Sequence, residues 1–185
     1  DAWLQELVPQ VLAAGDSYGR SETGQGQKVL IEFVSSNPTG PVHAGHARGA
    51  VFGDSLGRLL SYTGYQVERE FYINDRGVQM RTFAASLTAR KLGSELPEGG
   101  YNGQYIRDWA EQMPKDADPL QWGERRALDD ARTVLERLNV HFDTWFSERS
   151  MVDRGAIPTT LDDLRERGVV DDSEGAIWLR STDYG

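Results

Sequence analysis

The segment from residue 28 to residue 63 constrains the fold more than any other part of the chain. Its first part, 28–36, is short, apolar and β-branched, which predicts a buried strand. The next part, 37–46, contains two prolines and two glycines and predicts a turn. Apolar residues at helical spacing then predict a helix over 43–63. The apolar face of that helix is predicted from Phe52, Leu56, Leu59, Leu60 and Thr63.

Later segments extend this strand–turn–helix unit. Alternating residues predict a second strand over 65–75, and a helix follows it with Met80, Phe83, Ala84 and Leu87 on one face. The Gly/Pro-rich segment 93–123 interrupts the rhythm and indicates an insertion. A helix over 124–139 and a third strand over 142–148 complete the series. Strands alternating with helices predict an α/β protein with a parallel sheet and right-handed crossovers.

The two ends of the chain complete the predicted organisation. An amphipathic helix is predicted over 2–14, with Trp3, Leu4, Leu7, Val8, Val11 and Leu12 at helical spacing, and a polar, Gly-rich linker follows it. The tail predicts a helix around 159–167, a turn at Gly168 and a β-hairpin with 175–181 as one strand. The predicted segments are 1–27 (helix and linker), 28–92 (first βαβα part), 93–123 (insertion), 124–148 (helix and third strand) and 149–185 (a further α+β segment).

The turn at 37–46, at the start of the helix predicted over 43–63, contains the candidate functional residues. In open α/β sheets, ligands bind at the carboxyl ends of the strands, and a free helix N-terminus favours an anion. His43 and His46 are three residues apart, so at a helix start they share a face. Gly45 between them lets a ligand approach the backbone. Two imidazoles beside a helix N-terminus suit a phosphate chain that gains charge during transfer.

The residues alone leave alternatives open. The two histidines could be metal ligands, although no HExxH pattern accompanies them and only His141 remains elsewhere. They could also start a helix without any function. Neither the GxGxxG fingerprint nor a GxxxxGK[ST] phosphate loop is present. The residues therefore indicate an α/β nucleotide-type site with a phosphate-binding turn at 37–49.

Composition excludes several function classes. The formal net charge is −9, held wholly by residues 94–185, which argues against general binding of nucleic-acid phosphates by this segment. The chain has no cysteine, which excludes disulfides, thiolate zinc sites and a cysteine nucleophile. No run approaches the roughly 20 apolar residues of a membrane span, and no signal peptide opens the sequence. We expect a cytoplasmic protein.

Several separated motifs resemble one family. His43-Ala44-Gly45-His46 resembles the HIGH signature of class I aminoacyl-tRNA synthetases. The run Glu-Phe-Val-Ser-Ser-Asn-Pro-Thr-Gly-Pro (32–41) and the block 47–54 resemble the arginyl-tRNA synthetases, as does Tyr-Ile-Asn-Asp-Arg-Gly-Val-Gln (72–79). The segments 141–150 and 175–185 are similar to bacterial members of that family. The resemblance covers nearly the whole chain.

The resemblance implies a fold and a reaction. The fold would be the first half of a class I catalytic domain, a Rossmann-like (HUP-type) parallel sheet, with an α+β connective insertion that begins at 149. The reaction would form arginyl-adenylate from L-arginine and ATP with Mg2+, both as substrates, and then transfer arginine to tRNA(Arg). No metal held by protein ligands is expected. tRNA contacts would lie mainly on domains absent here, and a monomer is favoured.

The resemblance also implies site residues. ATP would be bound by Asn37, Pro38, Thr39, Gly40, His43, Gly45, His46 and Gly49, with His43 and His46 catalytic. Arginine would be held by Glu32, Ser35, Asn37 and His46, although Glu32 could instead pair with Arg48 or Arg69. Asn74, Asp75 and Gln79 would line the site, or Asp75 would cap a helix starting at Arg76. Gly49 and Asp54 would support the turn.

Family segments that are missing qualify this expectation. The lysine-bearing segment that clamps the phosphates from the opposite side has no counterpart here, and neither do the later residues of the arginine pocket. We therefore predict a fragment of a larger synthetase that is inactive alone. Two alternatives remain: an HxGH nucleotidyltransferase of the phosphopantetheine adenylyltransferase type, or a non-catalytic module that binds arginine, tRNA or a partner protein.

Overall fold

A computed structural model of the chain describes residues 2–184 and all their side chains except those of Ala2 and Leu4. Asp1 and Gly185, which end the predicted terminal segments, lie outside the described residues. So does the Leu4 side chain, which was predicted on the apolar face of the first helix. The chain divides into a larger compact unit that ends at Phe146 and a smaller one that begins at Ser147.

The larger unit alternates strands and helices. Its helices are α1 (Ala2–Ala14), α2 (Ala44–Tyr62), α3 (Gly77–Leu92), α4 (Gln104–Gln112) and α5 (Pro119–Arg137), and its strands are β1 (Lys28–Glu32), β2 (Gln66–Ile73) and β3 (Thr144–Ser147). The strands form one sheet in the order β1-β2-β3. β1 and β2 run parallel, with Lys28 beside Gln66 and Glu32 beside Glu70. The predicted α/β class is confirmed.

Two apolar cores support this unit. The first lies between α2, the sheet and α5, and its buried members are Ala50, Phe71, Ile73, Leu135 and Val140. The second lies among α3, α4 and α5, and its buried members are Met80, Phe83, Leu87, Ile106, Trp109, Ala110, Met113 and Ala127. The predicted insertion thus contains a helix, α4, which supplies three of the eight buried members of the second core.

Strand β1 is more exposed and shorter than the buried strand predicted over 28–36. Leu30 is 55% exposed, and β1 is an edge strand of the described sheet. The strand also ends at Glu32 instead of continuing to residue 36. Val34 and Ser35 have positive φ angles of 68° and 40°, which no strand can accommodate. The chain therefore leaves the sheet earlier than its apolar composition predicts.

Helix α2 turns a different face to the sheet from the one predicted. Phe52 is 72% exposed and Leu59 60% exposed, whereas Ala50, Gly53 and Gly57 are buried. The small residues allow close approach: a Cβ at Gly57 would lie 2.9 Å from Nε of the Arg69 side chain on β2. Of the predicted apolar face, Phe52, Leu56 and Leu59 are exposed, whereas Leu60 and Thr63 are half-buried.

Helix α5 begins at Pro119, five residues before the predicted start. Asp118 caps it, because its carboxylate accepts hydrogen bonds from the backbone N–H groups of Leu120 (2.8 Å) and Gln121 (3.0 Å). Proline is well suited to the first helical position. The Gly/Pro-rich composition of 93–123 concealed this start.

The smaller unit contains α6 (Glu148–Asp153), α7 (Ala156–Glu166) and strands β4 (Val170–Ser173) and β5 (Ala176–Leu179). β4 and β5 pair antiparallel, which confirms the predicted hairpin. Helix α6 was not predicted; it begins where the third strand was expected to end, and Ser147 caps it by accepting from the Ser150 N–H. None of the helices within residues 2–184 has the length and apolarity that a membrane span needs.

Candidate functional site

The two histidines begin helix α2 as a reciprocal capping box. His43 is the N-cap residue, and its Nδ1 accepts a hydrogen bond from the Gly45 N–H at 3.2 Å. His46 Nδ1 accepts from the His43 N–H at 3.3 Å. The rings stack with centroids 3.8 Å apart. Both side chains thus satisfy backbone donors that a helix start would otherwise leave free.

This capping fixes where each imidazole carries its proton. Because both Nδ1 atoms accept hydrogen bonds, the proton of each neutral ring is on Nε2. Burial lowers the pKa of His46 from its usual value of 6.5, and the neighbouring His43 lowers it further. His46 is therefore a neutral donor near pH 7. The pair offers two Nε2–H groups beside the positive end of a helix dipole.

A cavity of about 410 Å3 adjoins the pair. Its lining consists of Ser36, Asn37, Thr39, Gly40, Pro41, His43, His46, Tyr101 and Tyr105. A hollow of similar volume, about 400 Å3, lies over the beginnings of β1 and β2 between Lys28 and Glu68. Ligands of parallel α/β sheets bind at the carboxyl ends of the strands, which favours the cavity beside the histidines.

The backbone between β1 and the cavity is strained. Val34 and Ser35 both occupy the left-handed region, which is unfavourable for a β-branched residue such as Val34. The Ser35 hydroxyl accepts a hydrogen bond from the Tyr72 N–H at 3.1 Å, which ties this bend to β2. Such strain persists where surrounding contacts hold it and is concentrated at functional sites. No sequence signal identified Val34, because it continues the apolar run.

Asn37 is the centre of a chain of side-chain amides. Asn74, after β2, donates to the Asn37 Oδ1 at 2.8 Å, and the Asn37 amide donates to the Gln79 side chain of α3. Three elements thus fix the orientation of one amide that lines the cavity. Asn74 and Gln79 do not line the cavity themselves; they act through Asn37.

Asp75 does not have the capping position predicted for it. The N-cap residue of α3 is Arg76, and the helix begins at Gly77. Asp75 is 4% exposed, so it lies inside the fold at the end of β2 instead of facing the solvent at a helix start. Asp54, predicted to support the turn, pairs with Arg58 at 2.5 Å and lies 4.0 Å from Arg69.

Among the described residues, Glu32 has no basic partner. Arg69 lies within ion-pair distance of Asp54 and Asp143, and among residues 2–184 neither Arg69 nor Arg48 pairs with Glu32. Glu32 is exposed at the end of β1 and is the register partner of Glu70 on β2. Register partners in adjacent strands face the same side of a sheet, so this corner is acidic and open to a cation.

The predicted glycines have different surroundings. A Cβ at Gly45 would lie 3.0 Å from the His43 ring, and one at Gly40 would lie 3.1 Å from Tyr105. At Gly49 nothing lies within 4 Å, so no contact there requires glycine. Pro38 and Thr39, which belong to the turn, are buried. Glu32, Ser35, Pro38, Gly45 and Gly49 do not line the cavity.

The two tyrosines of the cavity were not predicted as site residues. Tyr101 and Tyr105 come from the segment predicted as an insertion, about 60 residues after the turn. Their aromatic character was visible, but only folding of α4 against α3 brings them to the turn. Within residues 2–184, no three histidine or carboxylate side chains converge as ligands for a metal ion.

The capping geometry predicts the behaviour of the histidines in solution. We expect the Nε2–H tautomer for both rings and a His46 that titrates below 6.5. In a His43→Asn variant, which keeps a good N-cap, the His46 pKa should rise but stay below 6.5, because burial, the larger cause, remains. Long-range 1H–15N NMR spectra recorded against pH measure both properties.

The lowered pKa of His46 also determines how its contribution to folding stability changes with pH. As the pH falls through 6.5, the unfolded chain binds a proton at His46 before the folded chain does. The contribution of His46 to stability is therefore present above about pH 6.5 and is lost below it. An Nδ1–H tautomer would contradict the capping geometry, and titration of His46 above 6.5 would contradict its burial beside His43.

Comparisons with known proteins agree on one family. A family profile described as "tRNA synthetases class I (R), catalytic domain" matches residues 7–98. Arginine–tRNA ligases of Shouchella clausii and Frankia alni are 43% and 42% identical to the chain over 100% and 98% of its length. The matched region is 37% and 35% of those proteins, so the chain spans about a third of the curated relatives it matches.

Solved structures agree. A crystal structure described as an arginyl-tRNA synthetase from Campylobacter jejuni superimposes with a TM-score of 0.82 at 36% identity, over 99% of this chain and 44% of that one. The arginyl-tRNA synthetase of Thermus thermophilus, at 24% identity and a TM-score of 0.62, shares the fold.

Proposed function

The chain belongs to the arginyl-tRNA synthetases, a class I family, and we propose that the protein containing it joins arginine to tRNA(Arg) with ATP. An arginine carboxylate oxygen attacks the α-phosphorus of ATP, and pyrophosphate leaves. The terminal ribose hydroxyl of the tRNA then attacks the arginyl carbonyl, and AMP leaves. In this proposal residues 2–146 supply one wall of the site at which adenylate forms.

The observation that carries the proposal is the stacked His43–His46 pair at the start of α2. Its two Nε2–H donors and the helix N-terminus lie beside a cavity of about 410 Å3. Negative charge that develops on the leaving pyrophosphate is stabilised by donors that are already oriented. Because the His46 pKa is lowered, this stabilisation comes from a neutral donor and does not depend on a protonated ring at pH 7.

Arginine would bind at the acidic corner beside the cavity. Glu32 is exposed and forms no ion pair within residues 2–184, and a carboxylate can accept two parallel hydrogen bonds from a guanidinium group. Asn37, oriented by Asn74 and Gln79, has spare hydrogen-bonding capacity for the arginine ammonium or carboxylate. Ser35 contributes by fixing the bend through Tyr72.

Mg2+ would enter with ATP. The residues that line the cavity include no aspartate or glutamate, so they do not fit a dedicated magnesium site. The phosphates of ATP would therefore hold the ion. tRNA(Arg) would bind mainly through parts of the protein other than residues 94–185, which carry the whole net charge of −9.

Arginine-dependent ATP–pyrophosphate exchange, with and without tRNA(Arg), tests the proposal. The full-length protein should catalyse exchange, with arginine preferred over lysine. Residues 1–185 alone should show none, because the described cavity lining has no lysine or arginine to neutralise the phosphates from the opposite side. Exchange by residues 1–185 alone would contradict this division of the site.

The alternatives give different results in the same assay. An adenylyltransferase would need a phosphopantetheine-like acceptor, but a match to arginine–tRNA ligases over 100% of the chain argues against it. A non-catalytic module would leave the full-length protein inactive with every amino acid.

A further inference from the structure

We propose that Tyr105 of helix α4 is a positioning residue for adenylate formation. Its hydroxyl holds the middle of the turn between Asn37 and His43, so that the turn presents both histidines to ATP. This inference rests on the function proposed above, and it assigns a role to the segment that interrupts the α/β pattern.

Tyr105 contacts the turn in two ways. Its hydroxyl donates a hydrogen bond to the Thr39 carbonyl at 2.9 Å. Its ring covers Gly40 so closely that a Cβ there would lie 3.1 Å from both Cζ and Oη of the ring. Both contacts fall between Pro38 and Pro41, where the turn has few backbone donors of its own.

The turn has three anchors, and Tyr105 is the middle one. At its beginning, the Asn37 amide is fixed by Asn74 and Gln79. At its end, His43 is fixed by the capping box. Without the tyrosine hydroxyl, the stretch around Thr39 would be held by packing and by its own N–H, which donates to the Asn37 carbonyl at 2.8 Å.

The second core holds Tyr105 itself in place. Its ring meets Trp109 edge to face, with centroids 5.1 Å apart, and Trp109 meets Phe83 of α3 in the same manner at 6.1 Å. The Arg126 guanidinium of α5 lies 5.0 Å from the centre of the Trp109 ring. The hydroxyl is therefore positioned by three helices and not by a mobile loop.

The tyrosine is a donor at every pH of interest. Burial raises the pKa of Tyr105 to about 12, and the neighbouring Tyr101 contributes to the increase. The hydroxyl consequently remains protonated and can always donate to Thr39.

A Tyr105→Phe variant of the full-length protein tests the inference. Phenylalanine keeps the packing on Gly40 and Trp109 and removes only the hydrogen bond. If this hydrogen bond orients the turn for the transition state, its loss should lower kcat for exchange about 3- to 10-fold. The KM for arginine should stay within about twofold, since the loss acts on the transition state.

Tyr62→Phe is the matched control. The Tyr62 hydroxyl shares its single hydrogen between the backbone carbonyls of Asp16 (2.9 Å) and Tyr18 (2.6 Å), away from the cavity. This variant should lose as much stability as Tyr105→Phe but keep its kcat, which separates a positioning role from general destabilisation.

Three results would be decisive. A Tyr105→Phe kcat equal to that of the unmodified protein overturns the inference. So does an equal loss of kcat in both variants, because stability alone would then explain it. If the unmodified full-length protein shows no arginine-dependent exchange, the proposed function fails instead, and the two failures are thus distinguished.

Discussion

Replacing His46 with alanine in the full-length protein should slow arginine activation by roughly 10²-fold or more. The substitution removes an Nε2–H donor whose tautomer the His43 N–H fixes. It also removes the acceptor of that N–H and so half of the capping box. Exchange kinetics and urea unfolding, measured on the same preparations, separate the two effects.

A His46→Glu variant sharpens the test. Glutamate is common at the third helical position of a capping box and can accept the His43 N–H. It cannot donate to a phosphate, and its charge repels one. We therefore expect His46→Glu to keep the stability that His46→Ala loses, while its activity falls at least as far.

His141 provides the control for a generic loss of histidine. It is exposed, and its ring bonds to the Asn139 side chain at 3.2 Å, outside the cavity. His141→Ala should leave exchange within about twofold of the original. If His46→Ala is as active as His141→Ala, His46 has no part in the chemistry.

Local pattern was enough to place the candidate site. A strand, a turn rich in proline and glycine, and a helix with two histidines at its start put the site at the carboxyl end of β1, where the cavity lies. The resemblance of the motifs to those of arginyl-tRNA synthetases added the expected reaction, the activation of arginine with ATP. Neither depended on knowing how distant segments pack.

The features that the sequence did not predict depend mainly on packing between segments that are distant in the sequence. Tyr105 reaches Thr39 across 66 residues, which no local pattern encodes. Val34 continues an apolar run, yet it adopts a left-handed conformation because the chain must leave the sheet there. The histidine tautomers are a different case, because they follow from local backbone geometry at a single helix start, which a list of residues does not show.

The prediction of the buried face of α2 failed for a different reason. Hydrophobicity predicts the large residues, such as Phe52 and Leu59, as the buried face. The helix instead packs its glycines against the sheet, because Phe33 and Arg69 occupy the space that larger side chains would need. Small residues at a close contact look like polar gaps in a hydrophobicity pattern.

A pair of glycine substitutions on α2 tests this packing. Gly53→Ala should destabilise the protein by about 2–3 kcal/mol, the upper part of the range for an overpacked core. A Cβ at Gly53 would lie 2.8 Å from the Phe33 Cβ and closer still to its ring. The ring cannot easily yield, because it packs on Phe142 with centroids 4.4 Å apart.

Gly49→Ala is the matched control, one turn earlier on the same helix. Nothing lies within 4 Å of the position of its Cβ, so only the helix propensity changes. Alanine is favoured over glycine in a helix by about 0.8–1 kcal/mol, so this variant should be more stable than the original. Urea unfolding of the three proteins measures the difference. Equal stability of the two variants would mean that Phe33 does not pack against Gly53.

Because Phe33 immediately precedes the strained bend at Val34, a displaced Phe33 ring in Gly53→Ala should also disturb the bend. We therefore expect Gly53→Ala to lower the exchange rate even where the protein remains folded.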